Sequence, residues 1–174
     1  RRSPRTPVRI WRRSASTSLR CASRARPAQP GGDPRLRPAR PSELMVIDTP
    51  ALVAMLSGEP DTVRMEIAVE KDPVRLMSAA TLLETSIVIE SRYGEPGGRE
   101  LDLWLHRAAV DVVAVDAEQA EIARSAYRRY GKERHRAALN YGDCFSYALA
   151  VASGEPLLFK GDDFTQTDVA HVEL

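Results

Sequence analysis

Residues 45–56 read Met45-Val46-Ile47-Asp48-Thr49-Pro50-Ala51-Leu52-Val53-Ala54-Met55-Leu56. The apolar lead-in followed by Asp predicts a buried strand over 45–48. Thr49 is then a helix cap and Pro50 the first helical residue, where a missing N–H costs nothing, with Leu52, Val53, Met55 and Leu56 as the apolar face. A strand that runs straight into a helix is the opening of an α/β unit. It also leaves Asp48 at the carboxyl end of the strand, pressed against a helix N-terminus, which is where open parallel sheets bind their ligands.

Downstream, short apolar runs alternate with longer helical patterns. Gly58 and Pro60 stop the first helix, a second covers about 61–71, and Pro73 introduces a strand from Val74 to Ser78. A long helix then starts at Ser78 or Ala79, passes through Glu84 and reaches about Arg92, where Gly94, Pro96, Gly97 and Gly98 form a break. A helix over 99–109 carries Leu101, Trp104, Leu105 and Ala108 and gives way to the β-branched run 112–115. Asp116 with Gln119 resembles a capping box that opens a helix to about Tyr130. After a polar, basic segment to Leu139, a helix over 140–153 turns Phe145, Ala148, Leu149 and Ala152 inward. Gly154 caps it, a strand covers 157–159, and a last strand over 169–172 closes the chain. The expected fold is a small doubly wound, mainly parallel sheet flanked by helices.

Charge divides the chain more sharply than its net +1 suggests. Of 25 basic and 24 acidic residues, 12 arginines and two acids fall in residues 1–44, a local charge of +10 that leaves −9 for residues 45–174. The first 44 residues also hold seven of the 12 prolines and few large apolar side chains, too little burial to offset the entropy of ordering them. They are expected to be a disordered basic tail. Its composition suits a transit peptide or a nucleic-acid-binding arm, and equally a stretch upstream of a true start at Met45. No run is long enough to span a membrane. Cys21 and Cys144 fit neither a zinc pattern nor a disulfide framework, which points to a reducing compartment, the cytoplasm.

Four acids from four segments are candidates to converge: Asp48, Glu84, Asp143 and Asp162, separated by 36, 59 and 19 residues. Such spacing converges only through the fold. Carboxylates packed together repel one another unless a proton or cation compensates, and Mg²⁺ is the simplest compensation because it takes hard oxygen ligands and keeps several waters. The implied chemistry is metal-assisted hydrolysis of a phosphodiester, with no covalent protein nucleophile. Each acid also has a plainer role. Asp48 precedes Thr-Pro and can be a turn former, Asp143 suits the dipole of a helix first turn, and Asp162 or Asp163 can cap a terminal helical turn. Glu84 stands in the apolar run 82–89, where a charge is unexpected unless that edge faces outward.

Trp104, Phe145, Tyr147 and Phe159 fall where core packing is expected. Cys144 reads as a small buried residue without a base to activate it. His106 and His135 lack metal-ligand spacing. The basic run Arg128, Arg129, Lys132, Arg134, His135, Arg136 is by default a solvated loop, although Arg134 and Arg136 are candidates to contact substrate phosphates beside the acids. An acidic domain needs such local positive potential to meet a polyanion.

The chain from Met45 onward resembles the PIN domain, in particular the VapC toxins of type II toxin–antitoxin pairs. Four segments carry the resemblance: Met45-Val-Ile-Asp48-Thr49-Pro-Ala-Leu, Ser78-Ala-Ala-Thr-Leu-Leu-Glu84, Leu139-Asn-Tyr-Gly-Asp143-Cys-Phe-Ser-Tyr-Ala-Leu-Ala, and Pro156-Leu-Leu-Phe-Lys-Gly161-Asp162-Asp163-Phe164. It implies a Mg²⁺- or Mn²⁺-dependent endoribonuclease in which Asp48 and Asp143 are the most dependable metal ligands and Glu84 and Asp162 match the second and fourth acids. Lys160-Gly161 replaces the Thr-Arg that often precedes the fourth acid, and Asp163 competes with Asp162 for that place. The resemblance further implies a homodimer held inactive by a VapB-like antitoxin lying over the first helices, where Leu52, Val53, Met55 and Leu56 are either groove or core. The arginine-rich tail has no counterpart in the family.

Two classes of rival, a phosphoaspartate fold and a non-catalytic module, are weaker on the residues. A phosphoaspartate phosphatase would need a second Asp where Pro50 stands, and a receiver domain would place its acidic pair early and its Lys late. A non-catalytic RNA- or antitoxin-binding module on the same fold would not need all four acids. The RNA target is not encoded in any motif.

Overall fold

The first strand sets the layering. The computed structural model describes residues 44–60 and 62–174, so the expected tail, apart from Leu44, lies outside the described residues. Strand β1 (Leu44–Ile47) sends alternate side chains to opposite faces: Met45 and Ile47 enter one core and Val46 the other. Leu44, placed in the tail by its sequence, is already paired in the sheet.

The elements continue as α1 (Thr49–Ser57), α2 (Val63–Lys71), β2 (Val74–Ser78), α3 (Ala79–Arg107), β3 (Val110–Val113), α4 (Ala117–Tyr130), α5 (Tyr141–Ser153), β4 (Leu157–Leu158) and a 3₁₀ turn, Phe164–Gln166. The strands pair in parallel in the order β3-β2-β1-β4. Helices α1, α2 and α3 cover the core around Ile47, Leu52, Met77, Leu101 and Trp104, while α4 and α5 cover that around Val46, Leu139, Ala148 and Phe164. This is the expected doubly wound sheet. The order reverses beside β1, so the crevice between the carboxyl ends of β1 and β4 is the topological switch point. Among the described residues no helix is long and apolar enough to cross a membrane.

Helix α1 ends as its sequence dictates. Gly58 adopts the left-handed conformation (φ 66°), and the N–H groups of Gly58 and Glu59 close back onto the carbonyls of Met55 and Ala54. Leu52, Val53, Met55 and Leu56 are all buried, which makes them core and not groove.

Four expectations need correction. The strand expected over 112–115 lies two residues earlier, at Val110–Val113. Residues 169–172 do not form a strand. Leu157 bonds to both Ala170 and Val172, and the contact stops at that bridge because β4 is only two residues long. The break predicted over Gly94–Gly98 is confined to Gly94 (φ 68°, ψ −164°), and the helix resumes at once because Pro96 occupies its new first turn. Ala152, predicted to face inward, is exposed.

The kink lets the two halves of α3 touch closely. A Cβ at Gly97 would lie 2.6 Å from that of Tyr93 and 3.1 Å from Cγ2 of Ile89. Gly97→Val is therefore expected to destabilise the fold by about 1–3 kcal/mol, read as a lower urea midpoint at unchanged slope. An unshifted midpoint would mean that the halves do not pack this way.

Candidate active site

Asp48 follows β1 at the switch point and is 1% exposed. Its backbone N–H is held by the Leu158 carbonyl at 3.0 Å, which ties it to the end of β4. Although it occupies the N-cap position of α1, its side chain makes no cap hydrogen bond. Oδ1 instead accepts from Ser146 Oγ at 2.6 Å, and Oδ2 is buried without a partner. Burial pushes the Asp48 carboxyl up to about 7; the charges of Asp143 and Glu84 add to this, and the Ser146 hydrogen bond opposes it.

Asp143 sits in the first turn of α5 in a full capping box. Its Oδ2 accepts from the Asn140 N–H at 2.7 Å, and its own N–H donates to Asn140 Oδ1 at 3.0 Å. It is 5% exposed. Burial raises it to about 6 against the pull of the Asn140 bond, and Asp163 and then Glu84 repel it further. The plain helix-terminus role and the position among the acids thus hold together in one residue.

Glu84 lies on α3, half-buried, with Oε2 accepting from Thr49 Oγ1 at 2.7 Å. Gly142 packs directly on it: a Cβ there would stand 2.4 Å from both carboxylate oxygens. Asp162 and Asp163 are exposed in the loop after β4. Asp162 lends its backbone carbonyl to Thr165, while Asp163 precedes the 3₁₀ turn without a side-chain cap and exerts the strongest carboxylate repulsion on Asp143. Of the two, Asp163 is the one whose charge acts on Asp143.

A buried set of hydroxyls, missed in the sequence, separates and orients these acids. Thr85 Oγ1 lies 3.1 Å from Thr49 Oγ1, and Thr81 Oγ1 lies 3.0 Å from Ser146 Oγ. Since the Ser146 proton is given to Asp48, the bond between Thr81 and Ser146 runs from Thr81. The signal was present as small polar residues at helical spacing, Thr81 with Thr85 and Asp143 with Ser146. Among the described residues no three Asp, Glu, His or Cys side chains stand together in ligating geometry. Glu84 and Asp143 are turned onto Thr49 and the Asn140 cap, so the acids feel one another's charge while each keeps its own protein partner.

The remaining candidates separate. Arg134 and Arg136 are both exposed on the loop between α4 and α5, with the Arg134 guanidinium 5.6 Å from the centre of the Tyr127 ring. Cys144 is buried, and burial with the nearby Asp143 charge raises its thiol to about 11, which disfavours the thiolate.

A parallel sheet with buried acids at its switch point and helices on both faces is the arrangement of a PIN domain, and the sequence pattern of the PIN domain matches residues 45–170. Ribonuclease VapC30 of Mycobacterium tuberculosis is 73% identical over 130 residues, 75% of this chain and 99% of that protein. Ribonuclease VapC of Mycolicibacterium smegmatis is 73% identical over 128 residues, covering 74% and 99%. The chain belongs to the VapC ribonucleases of the PIN-domain family. The crystal structure of Mycobacterium tuberculosis VapC20, a sarcin–ricin-loop-cleaving toxin, superposes with a TM-score of 0.62 at 20% identity over 75% of this chain and 99% of that one. That of Rickettsia felis VapBC2 bound to a promoter DNA fragment gives 0.60 at 15% identity over 75% and 97%. At these identities they share the fold.

Proposed function

We propose that this chain is a Mg²⁺- or Mn²⁺-dependent endoribonuclease of the cytoplasm and the toxin of a toxin–antitoxin pair. Asp48, Asp143 and Glu84 are its principal acids, and Asp163 or Asp162 is the fourth. The observation that carries the reading is Asp48 Oδ2, a carboxylate oxygen buried without a partner beside two further acids. A bare buried charge is costly and persists where a cation compensates it. The donors are all hard oxygens, they come from different elements, and two of them keep protein hydrogen bonds. That suits Mg²⁺, which takes one or two carboxylates together with water and substrate phosphate oxygens. When bound, such a cation polarises the phosphodiester and lowers the pKa of a water for attack.

The protein's own contribution is orientation. Ser146 fixes one oxygen of Asp48 and leaves the other free for the ion. Thr49, itself held by Thr85, aims Glu84, and the Asn140 cap holds Asp143 at the start of α5. The antitoxin half of the reading is supported by exposed apolar side chains, Leu83 and Ile87 beside Glu84 on α3 and Val63 and Ile67 on α2, of the kind a partner segment covers. A second copy of this chain, giving a homodimer, is the other partner in this reading.

The test is incubation of the full chain with total RNA. Discrete cleavage is expected with Mg²⁺ or Mn²⁺, none with EDTA, and recovery on adding Mg²⁺ back. Intact RNA at every metal concentration would leave the non-catalytic module as the correct reading.

A further inference from the structure

A groove of about 690 Å³ lies between α4 and α5, large enough for a nucleotide-sized ligand. Its walls carry Tyr127, Tyr141 and Phe145 together with Arg128, Lys132 and Arg134, and no acid is among its lining residues. Arg124 on the rim is neutralised by Glu121 at 2.9 Å, but among the described residues no ion pair is recorded for Arg128, Lys132 or Arg134. Tyr141 is 78% exposed and Tyr127 41% exposed, unusual for large aromatic rings. Tyr141 stacks edge-on to Phe145 at 4.9 Å, which leaves a face of the ring available.

We propose that this groove holds a single-stranded segment of the RNA substrate, bases stacked on Tyr127 and Tyr141 and phosphates held by Arg128, Lys132 and Arg134. The proposal rests on the ribonuclease reading and adds where its substrate lies. Exposed rings interleaved with cations that have no acidic partner are what single strands bind, since every base has a π-face and every nucleotide a negative charge. The groove adjoins the acids along the chain: Asn140, one of its lining residues, forms the capping box with Asp143, and Gly142, next to Tyr141, packs on Glu84. Tyr141 and Asp143 thus share the first turn of α5. RNA is the occupant the charge favours, because the groove carries Arg128, Lys132 and Arg134 and no acid, the complement of a phosphate backbone.

The experiment is fluorescence anisotropy of a labelled single-stranded RNA 12-mer with the full chain in EDTA, with 2-aminopurine in the oligonucleotide as the stacking probe. Tyr141→Ala and Tyr127→Ala are each expected to weaken binding about five- to a hundredfold and to relieve the 2-aminopurine quench, while Tyr141→Phe restores both. Arg128→Gln is expected to flatten the salt dependence of log K by about 0.7. The 2-aminopurine quench reads stacking on the rings, so binding through the arginine-rich first 44 residues does not mask the effect of either variant. Circular dichroism confirms folding, which substitutions at such exposed positions leave intact. Unchanged affinity and quench in both alanine variants would overturn the proposal. So would sedimentation showing that they split a dimer without altering RNA affinity, since the groove would then be a subunit interface. Failure of the unaltered chain to cleave RNA in Mg²⁺ would instead remove the nuclease reading, a separate outcome.

Discussion

Asp48→Asn is expected to lower RNA cleavage on the order of a thousandfold or more while leaving the fold intact. Asn matches Asp in shape, and its amide oxygen can still accept from Ser146, but it carries no charge to hold a cation. The same change bears on stability. In the unfolded chain Asp48 and Asp143 lose their protons near the ordinary 3.8, whereas in the folded protein burial holds them until about 7 and about 6. Between those limits the folded state binds more protons than the unfolded, so stability of the metal-free protein falls as pH rises from about 4 to about 7. The total is on the order of a few kcal/mol. Urea midpoints in EDTA should accordingly be lower at pH 8 than at pH 5, and Mg²⁺ should recover part of the loss at pH 8. Asp48→Asn should remove its share of the slope and be at least as stable as the unaltered protein at pH 8. Equal pH slopes in the two proteins would show that Asp48 is not a buried, strained charge.

Gly142→Ala should damage the site by a different route. Its Cβ would fall 2.4 Å from the Glu84 carboxylate, the mobile end of a flexible side chain. The carboxylate must swing away, and the bond from Thr49 goes with it. Alanine is also the better helix former, so the stability change should stay within about 1 kcal/mol. Cleavage, which depends on Glu84 being aimed, should fall roughly ten- to a hundredfold. Full activity in this variant would mean that the orientation of Glu84 has no part in turnover.

These expectations separate what was legible beforehand. Strands, helices and caps came from local chemistry. Pro50 at the start of α1, Gly58 and Gly154 at helix ends, and the Asp116 cap, whose side chain accepts from the Gln119 N–H, all behave as short-range physics requires. The errors arose where a local signal was overridden or shortened. Gly94 to Gly98 has the composition of a loop, yet packing of Ile89, Leu101 and Trp104 in one core keeps α3 going across the kink. Val169 to Val172 has strand composition, but β4 is too short to template a fifth strand.

The sequence by itself determined the α/β class and the placement of Asp48 at a strand end, because each depends on periodicity or on a residue type within a few positions. Only the tertiary structure decided the surroundings of the acids. The partnerless Oδ2 of Asp48, the hydrogen bonds of Thr49, Thr81, Thr85 and Ser146, and the basic aromatic groove between α4 and α5 join residues far apart in the chain. Burial and electrostatic repulsion act through space, and no spacing rule along the chain reports them.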